Sequence, residues 1–219
     1  DGTTQISTLS LNTQYIFNIW TYDTYGNSST ATEVALYTLA NAPGTMTVAS
    51  PTVSSLTTTL NTNSNSADTQ FKIYETSTAK YVQTAGTLDT SAAWQTAANW
   101  GTASGTSGQI TVTGLSPNVQ YTFQAIAKNG DTLETAASTG AALYTLANVP
   151  SGVTSSIDRS IGATQSWTAN NNPGTTNYYV EAISGSTNIS GWTTSLNWID
   201  TSAKNFHTEY CHRIKERNG

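Results

Sequence analysis

The sequence predicts an all-β protein built from repeated antiparallel β-sandwiches. Residues 37–44 recur almost unchanged at 144–152, 107 positions later. A fixed period of this length indicates tandem domains of similar fold. Alternating apolar and polar residues dominate the chain, and threonine, whose β-branched side chain favours strands, occurs 42 times. Clusters of Gly, Asn, Pro and Ser separate strand-length stretches at intervals of about ten residues.

The charge and cysteine content exclude several classes of function. Charged residues make up 10% of the chain and the net charge is −5. Binding to nucleic acid needs clustered Lys and Arg, so we expect no nucleic-acid partner. No apolar stretch is long enough to span a membrane as a helix, and the given chain does not open with a secretion signal, since Asp1 begins in mid-pattern. We therefore interpret the chain as a mature or excised segment, in which the single Cys211 cannot form an internal disulfide.

Two stretches alternate most clearly and are predicted to be core-facing strands. In residues 14–22 the alternation places Tyr15, Phe17 and Ile19 on one face. Residues 120–127 repeat the arrangement from Tyr121 onward. No stretch shows a helical period with capping residues, so we expect little helix.

The residues around these strands resemble a known family. Residues 9–17 and 115–123 share a Leu-Ser-x-Asn-x-Gln-Tyr-x-Phe pattern that looks like the tyrosine-corner entry to strand F of a fibronectin type III domain. Trp167 resembles the strand B tryptophan of the same family. The resemblance implies that the hydroxyl groups of Tyr15 and Tyr121 bond back to the backbone. The expected fold is a series of tandem fibronectin type III-like, immunoglobulin-like antiparallel β-sandwiches.

Alignment of the units predicts three domains of unequal completeness. Residues 1–40 correspond to strands E, F and G of a partial unit, and residues 41–147 to a complete domain. Residues 148–219 correspond to a domain that stops after strand F and lacks its last strand. Such an edge would offer unpaired backbone groups to another chain.

Two pairs of tryptophans share the spacing Trp-x4-Asn-Trp: Trp94 with Trp100, and Trp192 with Trp198. Both pairs fall between the predicted strands C and E. One interpretation is sugar recognition, in which the indole faces stack on pyranose rings. The other is structural: each pair seals an edge of its own sandwich or packs against a neighbouring domain. Recurrence at the same phase favours the structural interpretation.

Two further aromatic residues, Trp20 and Tyr22, lie on the face opposite Tyr15 and Phe17. They could form an exposed strip or be covered by an adjacent domain or subunit. Exposed aromatic residues often mark interaction surfaces, and we favour contact with protein over contact with a ligand.

Catalytic and metal chemistry have little support in the sequence. The only histidines, His207 and His212, could be metal ligands with Glu209 or Cys211, but alternation along one strand points Glu209 and Cys211 away from His212. A Ser-His-acid arrangement would have to use the same strand. We predict no enzyme activity, no metal and no cofactor.

Basic residues concentrate near the C-terminus, at Lys204, Arg213, Lys215 and Arg217. Alternation puts the last three on the outward face of the predicted strand F. A solvated strand face is one interpretation, and a basic edge that docks an acidic partner is the other.

The family resemblance implies a non-catalytic extracellular structural repeat protein: a cell-surface stalk, a surface layer or a filament subunit. Its partners would be other copies of itself or neighbouring repeats of a longer chain. The more specific hypothesis is that copies assemble head to tail by strand complementation. The alternative is a carbohydrate-binding or adhesion module of a larger secreted enzyme, with polysaccharide as the partner. Either function implies an extracellular or cell-surface location.

Overall fold

The computed structural model describes residues 4–101, 105, 107–202 and 208–218. Within these residues every regular element is a β-strand except one short helix, α1 (Ala97–Trp100). The predicted all-β fold class is therefore confirmed. The chain forms two compact units. One comprises Asp1–Val48, Thr57–Val112 and Thr122–Ala141, and the other comprises Ala49–Leu56, Thr113–Tyr121 and Ala142–Gly219.

The chain begins with a two-stranded antiparallel hairpin, β1 (Gln14–Ile19) and β2 (Thr32–Tyr37). The register runs from Gln14 opposite Tyr37 to Ile19 opposite Thr32. The sequence predicted a third strand, E, ahead of this hairpin, but residues 4–13 contain no strand. In the last sandwich the strand equivalent to E, within residues 197–200, pairs with the strand equivalent to B. No strand pairs with residues 4–13 in this way in the described part of the chain.

The middle sandwich contains two sheets. The first has the order β3-β4-β9, and the second has the order β11-β10-β5-β6-β7 with β8 also beside β5. Their bounds are β3 (Gly44–Ala49), β4 (Ser55–Asn61), β5 (Gln70–Glu75), β6 (Lys80–Val82), β7 (Leu88–Asp89), β8 (Gln95–Thr96), β9 (Gln109–Thr113), β10 (Gln120–Lys128) and β11 (Ala141–Tyr144).

Alternation along these strands builds the core of the middle sandwich. In β10 every second residue, from Tyr121 to Ala127, is buried. In β4 the buried residues are Leu56, Thr58 and Leu60. One face of each strand is therefore removed from water, which is the main source of stability for a sandwich.

The last sandwich has the sheets β12-β13-β16 and β15-β14-β17. The bounds are β12 (Ser151–Asp158), β13 (Gly162–Thr168), β14 (Asn177–Ser184), β15 (Ile189–Thr193), β16 (Asn197–Asp200) and β17 (Cys211–Arg217). Its core is the cluster of Trp167, Tyr178 and Val180, against which Trp198 and Ile214 pack.

The two sandwiches differ beside the strand equivalent to F. In the middle sandwich β10 lies between β5 and β11. In the last sandwich β17 pairs with β14, and no strand of the described residues lies on its other side. The domain boundaries predicted from the sequence stay a prediction, because the compact units divide the chain differently.

Candidate functional site

The two tyrosine corners anchor the loops that enter β1 and β10. The Tyr15 hydroxyl accepts a hydrogen bond from the Ser10 amide at 3.0 Å, and the Tyr121 hydroxyl accepts one from the Ser116 amide at 2.9 Å. These bonds satisfy the phenol oxygens while the rings face inward. Each corner also fixes the loop that carries an asparagine, Asn12 or Asn118, immediately before the strand.

Asn12 connects the N-terminal hairpin to the middle sandwich. Its side-chain amide donates to the Thr69 hydroxyl at 2.9 Å, and its side-chain oxygen accepts from the Gly130 amide at 2.9 Å. Both Asn12 and Thr69 are buried. Buried amides and hydroxyls are costly unless they are paired, so these bonds hold the loop in one position.

The linker that follows β2 is held by a second set of asparagines. The Asn41 amide donates to the side-chain oxygen of Asn65, and the Asn65 side chain donates back to the Asn41 carbonyl, both at 2.8 Å. The Asn63 side chain donates to the Ala42 carbonyl at 2.8 Å. The backbone amide and carbonyl groups of the linker are therefore hydrogen-bonded to side chains of the loop between β4 and β5.

A second connection, between the end of the middle sandwich and the last sandwich, repeats this chemistry residue by residue. The Asn118 side chain donates to the Thr176 hydroxyl at 2.8 Å. Asn148 and Asn172 exchange two hydrogen bonds, each 2.7 Å long. The Asn170 side chain donates to the Val149 carbonyl at 2.8 Å.

We call these two groups the first and second junctions. The first junction consists of Asn12, Asn41, Asn63, Asn65 and Thr69, and the second consists of Asn118, Asn148, Asn170, Asn172 and Thr176. A neutral hydrogen bond stabilises by about 1 kcal/mol net, so several in one junction restrain a short linker strongly. Sequence reasoning missed these roles, although the recurrence of asparagine at the same phase in both units was a readable signal.

Glycine is required at one point of the first junction. A Cβ atom on Gly130 would lie 2.4 Å from the Tyr37 ring. The Tyr37 amide also donates to the Asp131 carboxylate at 2.8 Å, and the Asn129 side chain donates to the Thr38 carbonyl at 3.2 Å. The turn after β10 therefore packs on the end of β2 at close range.

A cleft of about 430 Å³ opens beside the first junction. Amide and hydroxyl groups dominate its lining, and Asp68 and Lys128 are its charged members. Two of the lining side chains, Asn12 and Asn129, are engaged in the junction hydrogen bonds. The cleft is therefore a consequence of how the hairpin meets the sandwich in this unit.

The structure separates the members of each predicted tryptophan pair. Trp100 is buried, and its indole nitrogen donates to the Phe71 carbonyl at 3.0 Å. Trp198 packs against the core of the last sandwich, with its ring centroid 5.8 Å from that of His212. Trp100 is therefore enclosed by the core, whereas Trp198 is only partly buried, and the sugar-stacking interpretation of the pairs stays a prediction.

The first member of each pair lies nearer the surface, beside cations. The Trp94 ring has the ammonium groups of Lys72 and Lys128 over it, at 4.8 and 4.5 Å from the centroid. The Trp192 ring, 44% exposed, has the Arg217 guanidinium at 4.7 Å and packs on Tyr179. These distances are those of cation–π contacts, and Trp192 keeps much of its surface exposed beside the cation.

The hairpin carries the remaining candidate aromatic residues. Trp20 and Tyr22 are both exposed, and Tyr22 forms an isolated bridge with Ser28. The preference for a protein contact at these two residues stays a prediction.

The last sandwich contains a buried polar network that sequence reasoning did not foresee. His212 occupies the core position held by Phe123 in the middle unit, and its Nε2 lies 3.0 Å from the Asp200 carboxylate. Gln165 donates to His212 Nδ1 at 3.2 Å and accepts from the Ser155 hydroxyl. With the Gln165 side chain oriented so that its oxygen accepts from Ser155, its amide nitrogen donates to Nδ1, and Nε2 is then the ring nitrogen that donates to Asp200.

Further donors complete the environment of Asp200. Ser202 donates through its hydroxyl at 2.6 Å and through its amide at 3.0 Å, and Asn188 donates at 3.2 Å. Burial alone would raise the pKa of Asp200, but hydrogen bonds from Ser186, Ser202 and His212 outweigh it and hold that pKa well below its usual value. The network pairs a histidine whose side chain is 2% exposed with a fully buried carboxylate.

The predicted absence of a metal site concerns His207, which lies outside the described residues, and His212, which is committed to Asp200. Within the described ranges no cluster of three or more His, Cys, Asp or Glu side chains is arranged to bind a metal ion. Among the same residues, no helix has the length and apolar character needed to cross a bilayer.

Comparisons with known proteins bear on the fold. No protein-family model matches the sequence, and no curated protein matches it significantly. A two-domain fibronectin type III segment of chicken tenascin superposes with a TM-score of 0.50 and 18% identity, covering 82% of this chain and 93% of that one. The chain thus has the fold of tandem fibronectin type III domains, as the tyrosine-corner resemblance implied.

Two other solved structures are similar over much of the chain. Domains d3-d4 of the rat CD45 extracellular region give a TM-score of 0.37 at 15% identity, covering 66% of this chain and 70% of that one. The FN1–FN3 domains of chicken CNTN1 give a TM-score of 0.30 at 15% identity, covering 96% of this chain and 74% of that one.

Proposed function

We propose that this chain is a non-catalytic structural repeat protein of the cell exterior, serving in a stalk, a surface layer or a filament. The observation that carries the proposal is the repeated junction. The same five side chains, at the same phase, bond the end of one domain to the start of the next in both compact units.

A junction of this kind is useful to a spacer and of little use to a binding loop. Its polar atoms are turned toward the chain's own linkers, and its central residues are buried. Linkers between independent domains are usually exposed and flexible. Here the backbone of each linker is hydrogen-bonded. A force on one domain would therefore be transmitted to its neighbour, and the orientation of one domain would restrain that of the next.

The amide of Asn148 reports directly on the second junction, because it donates to the Asn172 side chain. We expect it to exchange slowly in the intact chain, although it lies in a linker. Replacing Asn172 with alanine removes both bonds to Asn148 and should raise the exchange rate of this amide about tenfold or more, since tenfold corresponds to about 1.4 kcal/mol. The measurement is amide hydrogen exchange by NMR.

Asn171→Gly is the matched control for this experiment. Asn171 is exposed and has a φ of 65°, which glycine adopts without strain. The Asn148 amide should exchange at the same rate in this variant as in the parent chain. Fast exchange of Asn148 in the parent chain would contradict the proposal of a restrained junction.

Carbohydrate binding is the second candidate function, and the half-exposed indole of Trp192 favours it. Under the structural proposal we expect no polysaccharide at millimolar concentration to change the tryptophan emission of the chain. Saturable quenching that is lost in Trp192→Ala would establish sugar binding instead. Trp20→Ala is the control, because Trp20 is exposed on the separate hairpin.

A further inference from the structure

Asn129 and Gly130 form a chemically labile pair in the turn after β10. Where glycine follows asparagine, the glycine backbone nitrogen can attack the side-chain carbonyl carbon of the asparagine, because glycine has no side chain to hinder the approach. The new N–C bond closes a succinimide ring. The side-chain nitrogen leaves as ammonia, with the proton that the backbone nitrogen gives up. Water then opens the ring on either side and leaves aspartate or isoaspartate.

The first junction commits both reacting groups to other partners. The Gly130 amide donates to the Asn12 side-chain oxygen at 2.9 Å. The Asn129 side-chain oxygen accepts from the Leu133 amide at 2.8 Å, and the side-chain nitrogen donates to the Thr38 carbonyl at 3.2 Å. Attack requires the Gly130 nitrogen to lose its proton and approach the Asn129 Cγ. The bond to Asn12 therefore has to break first.

The backbone around the pair is also held. The Asn129 amide donates to the Leu133 carbonyl at 3.1 Å, and the Asn129 carbonyl accepts from the Thr132 amide at 3.0 Å. The Asp131 carboxylate accepts from the Tyr37 amide at 2.8 Å. These bonds fix the turn on both sides of the reacting nitrogen. The rotation that attack needs therefore requires a local opening of the turn.

The pair borders a space that can supply the water for hydrolysis. Asn12, Asn129 and Gly130 all line the cleft of about 430 Å³ beside the first junction. The cleft is polar and large enough to hold water. Asn129 itself is 3% exposed, so its side-chain amide is shielded while the junction is closed. An opening of the turn toward the cleft would bring the pair into contact with water.

Either product would disturb the junction that shielded the pair. Aspartate has no donor for the Thr38 carbonyl, so two acceptors would face each other at a buried position. Isoaspartate adds a methylene group to the main chain. Gly130 already packs so closely on the Tyr37 ring that a Cβ atom would overlap it. The modified turn should therefore be unable to return to the closed arrangement.

We propose that Asn129 is a latent deamidation site, kept unreactive by the first junction and released when the turn opens away from Asn12. The reaction needs water and no other reactant. It makes a transient opening permanent, so the site records the openings that each chain has undergone. The inference goes beyond the structural role proposed above, because it concerns the covalent fate of the first junction.

Deamidation of the whole chain in mildly alkaline buffer tests the proposal, with the products at Asn129 measured by peptide mass spectrometry and isoaspartate detection. We expect the reaction to be slower in the folded chain than in guanidinium chloride by a factor of about ten or more, because opening breaks several hydrogen bonds. Hydrogen exchange of the Gly130 amide measures the same opening independently, and its protection should equal the slowing of deamidation. Equal rates in the folded and unfolded chains, or deamidation much faster than the protection allows, overturn the proposal.

Asn12→Ala removes the acceptor of the Gly130 amide and leaves the reacting pair unchanged. It should speed the deamidation of Asn129 in the folded chain about tenfold. Asn118→Ala is the matched control, because Asn118 holds the equivalent place in the second junction, and Asn129 should react in it at the parental rate. A parental rate in Asn12→Ala overturns the proposal. If that variant does not fold, the comparison of deamidation with Gly130 protection in the parent chain decides alone.

Asn129→Asp reproduces one product directly. Its Gly130 amide should exchange about tenfold faster than in the parent chain, because the carboxylate cannot donate to the Thr38 carbonyl. Asn171→Asp, at an exposed asparagine, should leave this exchange unchanged. Parental protection of Gly130 in Asn129→Asp would show that the modified turn closes again, which overturns the permanence of the change. The structural role is tested separately at the Asn148 amide, so either proposal can fail while the other stands.

Discussion

Replacing Asp200 with asparagine should lower the free energy of unfolding of the last sandwich by roughly 3 kcal/mol. The carboxylate accepts from His212, Ser202 and Asn188 inside a buried network. An asparagine can keep some of these bonds, but its amide would meet the Nε2 proton of His212, donor against donor. The measurement is urea denaturation, monitored through the hydrogen exchange of backbone amides in β13 and β16.

His212→Phe places in the last sandwich the residue that the middle sandwich has at the equivalent position, Phe123. On its own it should also destabilise, because Asp200 would lose a partner while staying buried. In the double variant with Asp200→Asn the two losses should not add, and a coupling of about 1 kcal/mol or more is expected. Strict additivity would show that the two side chains do not act as a pair.

The same network should make the free energy of unfolding of the last sandwich depend on pH. The pKa of Asp200 in the folded chain lies below its ordinary value of 3.8. A carboxyl group of this kind contributes stability above its unfolded pKa, and that contribution is lost as the pH falls through the folded value. Stability should therefore fall below about pH 4 in the parent chain, and the fall should be smaller in Asp200→Asn.

Gly162→Ala should destabilise the last sandwich by about 3 kcal/mol or more. Gly162 begins β13 with a φ of +132°, a region that is nearly closed to residues with a side chain. A Cβ atom there would lie 2.1 Å from the Asp200 carbonyl oxygen and 2.9 Å from the Thr201 Cα. Both of these atoms belong to the backbone, so the steric clash can be relieved only if β13 and β16 move apart.

Gly174→Ala is the matched control, because a Cβ at Gly174 meets nothing within 4 Å. Thermal denaturation should show little change in this variant and a large decrease in melting temperature for Gly162→Ala. Equal melting temperatures would mean that the backbone at Gly162 is not confined as the structure indicates.

The features that the sequence could predict are those set by local pattern. The repeated Tyr-Thr-Leu-Ala-Asn segment and the alternation in residues 14–22 and 120–127 led to tandem sandwiches, because strand faces follow directly from a period of two. The tyrosine motifs at Tyr15 and Tyr121 identified the loops before two strands. Each strand or corner signal is contained within about ten consecutive residues, and the repeat is found by comparing two such segments 107 positions apart.

The features that could not be predicted depend on residues far apart in the chain. Asp200, His212 and Gln165 come from three strands, and no local pattern assigns them to one network. The tryptophan spacing suggested equal roles for Trp94 and Trp100, but the short helix α1 turns the second ring into the core. The strand E predicted before β1 stays a prediction, because the described residues 4–13 contain no strand and residues 1–3 lie outside the described part of the chain.

The asparagine junctions fall between these cases. Their positions recur with the domain period, so the sequence contains the signal. Their meaning depends on contacts such as that between Asn118 and Thr176, which are 58 residues apart. Asparagine is common in turns for local reasons, which made the recurrence look like ordinary loop composition.

Nuclear spin relaxation across the second junction is the most direct measurement of whether these junctions hold their domains in place. Backbone amides in residues 113–121, before the linker, are compared with amides in β13 and β14, after it. We expect one rotational correlation time to describe both groups in the parent chain. Two independent correlation times would contradict the restrained junction, and with it the proposed structural role.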